Sequence, residues 1–297
     1  MLALPNLDPA IKRQYITANG IRFDTLTCGE GPRLALFLHG FPEHAYSWRH
    51  QLPHFAKLGY RAWAPTLRGY GDSDRPEGVE QYDMSVLFDD IAALIDAADA
   101  EDVTLIGHDW GAVLAWAFAI QKIRPLKHLM IMNVPHPAIF ARHVKRWPQI
   151  VRSWDIFFFQ LPWLPDMALS LGRGYMTGAA MKFMAEDKTA FSDLVLKIYR
   201  YTPSQPGGAT AMINYYRALM KRPGGFRGSD NLPKITTPTL MLWGEKDMAL
   251  GLELTEGTDA FVEDITLRTF PGVSHWIQQE IPGQVNDAIT VWLTQQS

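Results

Sequence analysis

The chain is poor in cysteine, with only Cys28 among its 297 residues. No internal disulfide can form, and a cytoplasmic location is therefore predicted. Residues 1–10 lack the basic and apolar regions of a secretion signal, in accord with that location. No apolar run approaches the ~20 residues that span a bilayer, so we expect no membrane insertion.

A surplus of basic charge is also missing. Lys and Arg number 28 against 31 Asp and Glu, the formal net charge is −3, and no block of Lys and Arg occurs. Nucleic acid and an acidic membrane surface both require a basic patch, so the sequence predicts neither as a partner. Hydrophobic residues make up 47% of the chain, which is enough for the sizeable core of a globular protein.

One stretch combines a buried strand, a tight turn and a buried helix. The apolar run of residues 103–106 predicts the strand, and residues 112–119 are apolar on every face, as in a core helix. Between them, Gly107 and Gly111 bracket Asp109 with the spacing of a nucleophile elbow, whose central residue is usually Ser. Such a triplet also occurs in ordinary turns, but an exposed carboxylate here would favour attack on a saturated carbon bearing a leaving group.

The rest of the chain alternates strands with helices, except in one segment. The alternation stops at about Pro135 and resumes after about Pro233, and the residues between are rich in Trp, Phe, Met and Tyr at helical spacing. We therefore predict an α/β fold with a mostly parallel sheet flanked by helices. Its core comprises residues 1–134 and 234–297, and residues 135–233 form an inserted helical cap.

Two further polar residues follow predicted strands, and their order along the chain is informative. Asp247 comes after one strand and His275 after the next, both downstream of Asp109. A nucleophile, an acid and a histidine in this order are typical of the α/β-hydrolase fold. The other histidines lack ligand spacing with Cys or carboxylates, so we predict no metal site and no cofactor.

Five segments together resemble the α/β-hydrolase family and, more narrowly, its epoxide hydrolases. They are His39-Gly40-Phe41-Pro42-Glu43, Arg68-Gly69-Tyr70-Gly71-Asp72-Ser73, Gly107-His108-Asp109-Trp110-Gly111, Gly244-Glu245-Lys246-Asp247 and Ser274-His275-Trp276. In the cap, Asn214-Tyr215-Tyr216-Arg217 resembles the segment that carries one of the family's two epoxide-polarising tyrosines, and the match falls on Tyr216. The other cap segment differs, because Asp155 stands five residues before Gln160 where the family usually has Tyr.

The resemblance implies an epoxide hydrolase acting on a small apolar epoxide. Asp109 would open the ring to form an alkyl ester, and His275, oriented by Asp247, would activate water to release a vicinal diol. The backbone N–H groups of Phe41 and Trp110 would form the oxyanion hole. The hydroxyl of Tyr216 would serve as proton donor to the epoxide oxygen.

Asp155 is the residue whose role is least defined by the resemblance. Two carboxylates in a partly apolar pocket cannot both ionise cheaply, so a proton is predicted on Asp155 while Asp109 stays anionic. A neutral Asp155 could then substitute for the missing phenol beside Tyr216. The opposing interpretation turns Asp155 to solvent and leaves Tyr216 as the sole donor.

Two other functions use the same residues. A haloalkane or haloacid dehalogenase would share Asp109, Asp247 and His275 but would need side-chain donors for the halide, of which Trp110 offers one and Phe41 none. A catalytically silent binding member of the fold is the other alternative, motivated by the missing tyrosine. The identity and enantiomer of the epoxide and the oligomeric state are not predicted.

Overall fold

The computed structural model of the protein describes residues 2–221 and 232–296. Eight strands form one sheet in the order β1-β2-β4-β3-β5-β6-β7-β8. The first two and the β2–β4 pair are antiparallel, and all other neighbours are parallel. The strands are β1 (Lys12–Ala18), β2 (Ile21–Cys28), β3 (Arg33–Leu38), β4 (Tyr60–Pro65), β5 (Asp102–His108), β6 (His128–Met132), β7 (Thr239–Gly244) and β8 (Ile265–Phe270).

Twelve α-helices complete the described part of the chain. They are α1 (Gln51–Lys57), α2 (Met84–Ala98), α3 (Trp110–Ile120), α4 (Pro137–His143), α5 (Gln149–Arg152), α6 (Trp154–Phe158), α7 (Leu164–Met184), α8 (Asp193–Tyr199), α9 (Tyr201–Ser204), α10 (Gly208–Lys221), α11 (Ile277–Glu280) and α12 (Pro282–Gln295). Helix α7 departs from helical backbone angles at residues 171–174.

The central strands are buried because helices cover both faces of the sheet. Strands β3, β5, β6 and β7 are almost wholly inaccessible to solvent, as their uninterrupted apolar runs predict for parallel strands. One core cluster joins α2 and α3 to the sheet, and a second joins α1 and α12 to it. The predicted α/β-hydrolase fold with a mostly parallel sheet is thus confirmed.

The element boundaries follow the local chemistry of the chain. Asn19 and Gly20 both have positive φ, 49° and 71°, and form the tight turn between β1 and β2. Strand β6 ends at Met132, because Asn133 leaves the strand with a positive φ of 52°.

The predicted cap segment contains helices α4 to α10 and no strand within its described residues. The buried residues of helix α10 belong to the same core cluster as those of α2 and α3. Residues 222–231 of the predicted cap lie outside the described residues, and its boundaries at 135 and 233 stay a prediction.

In the described ranges no helix is both long enough and apolar enough to cross a membrane. The cytoplasmic location also stays a prediction.

Candidate active site

Asp109 occupies a strained turn between β5 and α3. Its backbone angles are φ 49° and ψ −122°, a conformation that side-chain-bearing residues rarely adopt. The turn closes only because its flanking residues lack side chains. A Cβ on Gly111 would lie 2.0 Å from the carbonyl oxygen of Leu38, and one on Gly107 would lie 2.5 Å from the carbonyl oxygen of Gly111. The turn therefore projects the Asp109 carboxylate beyond the carboxyl ends of the strands.

The two oxygens of the Asp109 carboxylate have different partners. Oδ1 accepts a hydrogen bond from the backbone N–H of Phe41 at 2.6 Å. Oδ2 lies 3.6 Å from Nε2 of His275. Gly40 leaves room for this arrangement, since a Cβ there would lie 2.4 Å from Oδ1. One oxygen is thus held by the backbone, and the other faces an imidazole.

His275 is fixed from behind by a second carboxylate. Its Nδ1 lies 2.6 Å from Oδ2 of Asp247. The other oxygen of Asp247 accepts the backbone N–H groups of Ala249 and Leu250 at 2.8 and 2.9 Å. The carboxylate of Asp247 is a hydrogen-bond acceptor, so the Nδ1 atom of His275 that faces it carries a proton. The other ring nitrogen, Nε2, points at Asp109.

The pKa values of Asp109 and His275 depend on each other's charge. Burial by itself raises the pKa of Asp109, but the hydrogen bond and charge of His275 outweigh it, so that the pKa lies below its usual value. Burial lowers the pKa of His275, yet the charge of Asp247 and the contacts with Asp109 raise it well above its usual value. In the resting site His275 is therefore an imidazolium between two carboxylates.

Tyr216 of α10 lies directly over this site. Its ring centroid is 4.9 Å from that of Trp110, 4.8 Å from that of Phe159 and 5.5 Å from that of Phe41. Burial raises the pKa of its hydroxyl well above the usual value, and the charge of Asp109 raises it further. A hydrogen bond from Trp110 opposes that increase. The hydroxyl is thus a neutral donor at every physiological pH.

The neighbouring tyrosine is engaged elsewhere. The hydroxyl of Tyr215 donates to the backbone carbonyl of Arg68 at 2.9 Å. The hydroxyl of Tyr215 is thus bonded to a backbone carbonyl, whereas the hydroxyl of Tyr216 is the one whose pKa is raised by the charge of Asp109.

Asp155 is half-buried in the first turn of α6. Burial raises its pKa to about 6, and the charge of Asp109 adds to the increase, against a hydrogen bond from the backbone of Ile156. The charge of Asp155 in turn contributes to the raised pKa of Tyr216. The structure therefore brings Asp155 into the electrostatic environment of Asp109 and Tyr216.

Asn133, which was not identified from the sequence, supports Asp247. Its side-chain amide donates to Oδ2 of Asp247 at 2.8 Å, and its oxygen accepts the backbone N–H of Gly244 at 3.1 Å. The available signal was its position, since it follows β6 directly, just as Asp109 follows β5. Asn also tolerates the positive φ required at that point.

A buried polar cluster beneath His275 was missed as well. Nδ1 of His108 lies 2.9 Å from Oε2 of Glu43, and its Nε2 lies 2.9 Å from the carbonyl oxygen of His275. Both side chains are inaccessible to solvent. Gln278 and Gln279 donate to Glu43 and complete the hydrogen bonding of its carboxyl group. This cluster holds the backbone that carries His275.

Within residues 2–221 and 232–296, no group of three or more His, Cys, Asp or Glu side chains has the arrangement of a metal site.

Comparison with known proteins identifies the family of this site. The family model for the alpha/beta hydrolase fold matches residues 35–281. Human epoxide hydrolase 4 is 36% identical over 301 aligned residues, covering 95% of this chain and 78% of the relative. Epoxide hydrolase 3 of Xenopus tropicalis is 38% identical over 286 residues, covering 93% and 75%.

A solved structure agrees with these relatives. The epoxide hydrolase of Bacillus megaterium in complex with an inhibitor superimposes with a TM-score of 0.87 at 28% identity, covering 95% of this chain and all of the other. The chain therefore belongs to the α/β-hydrolase family and, within it, to the epoxide hydrolases.

Proposed function

We propose that the protein hydrolyses a small apolar epoxide to a vicinal diol through a covalent alkyl ester of Asp109. The observation that carries the proposal is the unequal environment of the two Asp109 oxygens. Oδ1 is held by the N–H of Phe41 at 2.6 Å, whereas Oδ2 is bound to no backbone group in the described residues and lies 3.6 Å from His275. Oδ2 is thus the free nucleophile, and Oδ1 becomes the ester carbonyl already seated at its donor.

Ring opening requires a proton on the departing oxygen. Oδ2 of Asp109 attacks one epoxide carbon, the carbon–oxygen bond breaks, and the alkoxide takes the proton of the Tyr216 hydroxyl. The apolar rings around Tyr216 exclude water, which makes a hydrogen bond to the developing alkoxide stronger than it is in solution. Because the phenolate is unfavourable in this environment, it recovers a proton at once.

Formation of the ester changes His275 from an acid into a base. The ester removes the negative charge of Asp109, which is one of the two charges that raise the pKa of His275. His275 therefore releases its proton, which balances the proton given by Tyr216. The neutral imidazole then takes a proton from water as hydroxide attacks the ester carbon.

The second half-reaction uses the oxyanion hole. The negative charge that develops on Oδ1 is stabilised by the N–H of Phe41, a contribution on the order of 3 kcal/mol for one donor. The backbone N–H of Trp110 is proposed as the second donor. When the tetrahedral intermediate collapses, the diol oxygen leaves and takes the proton of the carboxylic acid that forms on Asp109. The starting charges of Asp109 and His275 are thereby restored.

We further propose that residues 135–233 act as a cap that closes the site and shapes its specificity. Phe159 and Tyr216 from this segment contact Phe41, which lies at the end of β3 in the core. These contacting rings are apolar, which fits an apolar epoxide.

Asp155 is proposed as a second donor to the epoxide oxygen, in place of the tyrosine that the family usually has. A carboxylic acid can donate only while it is protonated, and the raised pKa of about 6 keeps a substantial neutral fraction in weakly acid solution. The charge of Asp109 raises the pKa of Asp155, and the charge of Asp155 raises that of Tyr216, as expected of a group beside the reacting atoms.

The pH dependence of ring opening tests this role. The neutral donor is present below pH 6 and is lost as the pH rises through that value, so the alkylation rate is expected to fall between about pH 5 and 7. Asp155→Asn should reduce the rate, whereas Asp155→Tyr should retain or increase it and remove the pH dependence in this range. The measurement is the pre-steady-state rate of alkylation in rapid-mixing experiments across pH.

An Asp155→Ala variant provides the decisive comparison. If it opens the epoxide at the rate of the natural protein, and if the profile is flat from weakly acid to neutral pH, Asp155 is not a donor and Tyr216 works alone.

The overall proposal is tested by turnover of a panel of small epoxides, with halide release from haloalkanes and haloacids assayed in parallel. We expect diol and no halide, because the indole of Trp110 is engaged with Tyr216 and Phe41 has no side-chain donor. Halide release without diol would assign the protein as a dehalogenase. Absence of both products across the panel would favour a silent binding protein.

A further inference from the structure

Large apolar side chains are exposed in one part of the molecule. Of the eighteen that the described residues expose, thirteen lie between residues 147 and 183. They include three tryptophans, Trp147, Trp154 and Trp163, with 78%, 62% and 68% of their surface accessible. We call the exposed apolar side chains of residues 147–167 the apolar face. A monomeric protein in water seldom exposes so much contiguous apolar sequence without a partner for it.

The same segment carries a net positive charge, whereas the rest of the protein carries a net negative one. Residues 135–233 contain thirteen Lys and Arg against six Asp and Glu, whereas the rest of the chain contains fifteen against twenty-five. The balanced total therefore conceals two regions of opposite sign. The sequence-based expectation that no acidic surface is a partner considered the total charge and the absence of a Lys and Arg block, not the charge of this segment by itself.

Basic side chains adjoin the apolar face directly. Lys145 and Arg146 are exposed, precede the most exposed tryptophan, and form no ion pair with a carboxylate of the described residues. On its other side, Trp163 and Lys221 line one open groove. Cations thus flank the tryptophans at both ends of the face.

The exposed tryptophans and the adjacent cations together favour one kind of partner. Tryptophan favours the headgroup level of a lipid bilayer, and nearby Lys and Arg are attracted to anionic lipids. A second copy of the chain is disfavoured, because a twofold contact through the middle of this face would bring the cations at one end of it against those at the other end. We propose that the apolar face docks on an anionic phospholipid surface without spanning it.

The face is continuous with the proposed active site through α6. Trp154 and Phe157 of this short helix are exposed, whereas Phe159 at its end is buried and contacts Tyr216. An apolar epoxide dissolved in lipid would thus meet the protein within one helix of the site. This last step rests on the proposed function, but the docking itself does not.

Vesicle flotation tests the docking without any turnover. We expect the purified protein to float with vesicles of phosphatidylcholine and phosphatidylglycerol, to bind pure phosphatidylcholine about ten-fold less, and to be released by high salt. Lys145→Glu/Arg146→Glu should abolish flotation, and Trp147→Ser/Trp154→Ser should reduce it about ten-fold or more. The control Lys57→Glu/Lys127→Glu makes the same charge change at exposed sites outside the segment and should bind normally.

Other outcomes would overturn the proposal. Equal loss of binding in the control pair would reduce it to a net-charge effect. No flotation of the natural protein, together with a dimer in sedimentation that Trp147→Ser/Trp154→Ser converts to a monomer, would assign the face to a second copy. Thermal unfolding of each variant distinguishes loss of docking from loss of fold. Failure of docking leaves epoxide turnover unaffected, and failure of turnover leaves docking measurable.

Discussion

Replacement of Asp109 by Asn is expected to reduce epoxide turnover on the order of 10⁴-fold or more while the fold is retained. The amide has the shape of the carboxylate but is not a nucleophile, so no ester forms and neither half-reaction proceeds. The local structure should survive for two reasons. Asn is among the residues that best tolerate the positive φ of this turn, and its oxygen can still accept the N–H of Phe41. Steady-state diol formation and thermal unfolding measure the two expectations.

Asp99→Asn is the matched control for this substitution. Asp99 is exposed at the end of α2 and also has a positive φ, 47°, so the same chemical change is made at another positive-φ position away from the site. It should leave turnover unchanged. Freshly purified Asp109→Asn protein is needed, because slow deamidation would restore a trace of carboxylate. Full activity in fresh protein would exclude Asp109 as the nucleophile.

The sheet and the order of its polar residues could be predicted because the signals are local. Uninterrupted apolar runs distinguish buried parallel strands from amphipathic helices. Asp109 directly follows such a run, and Asp247 and His275 stand in the turns that follow β7 and β8. Carboxyl ends of parallel strands meet at one edge of a sheet, so chain position alone brings these residues together. The choice of Tyr216 over Tyr215 came from the family resemblance, and the contacts of the two hydroxyls agree with it.

Contacts between distant parts of the chain could not be read in the same way. Asn133 supports Asp247 across 114 residues, and Glu43 reaches Gln279 across 236. Neither pairing has a periodic or spacing signal, because each depends on how the strands are stacked in the folded sheet. The distribution of charge over the folded surface cannot be read from the net charge for a related reason. The net value of −3 is a sum over the chain, whereas attraction to a surface depends on which side chains share a face.

His275→Gln is expected to separate the two proposed half-reactions and to trap the ester. Without the imidazole no base activates water, so hydrolysis stops after one alkylation and the intact-protein mass rises by the mass of one epoxide. Alkylation itself should slow. Removal of His275 takes away the contacts that lower the pKa of Asp109, and burial then raises that pKa. The carboxylate required for attack therefore forms only as the pH increases, so the fall in alkylation rate that the proposed Asp155 donor causes between about pH 5 and 7 should be reduced or reversed in this variant.

The site of the adduct makes this prediction specific. Peptide mapping should place the added mass on the peptide that contains Asp109, and an Asp109→Asn/His275→Gln double variant should stay unmodified under the same conditions. His143→Gln, a histidine in α4 whose Nδ1 bonds the carbonyl of Ile139, should turn over normally and accumulate no ester. An unmodified His275→Gln protein after long incubation at pH 8 with an epoxide that the natural protein hydrolyses would contradict the division of roles. In that case ring opening would itself need the imidazolium, since a proton from His275 rather than from Tyr216 would have to reach the departing oxygen.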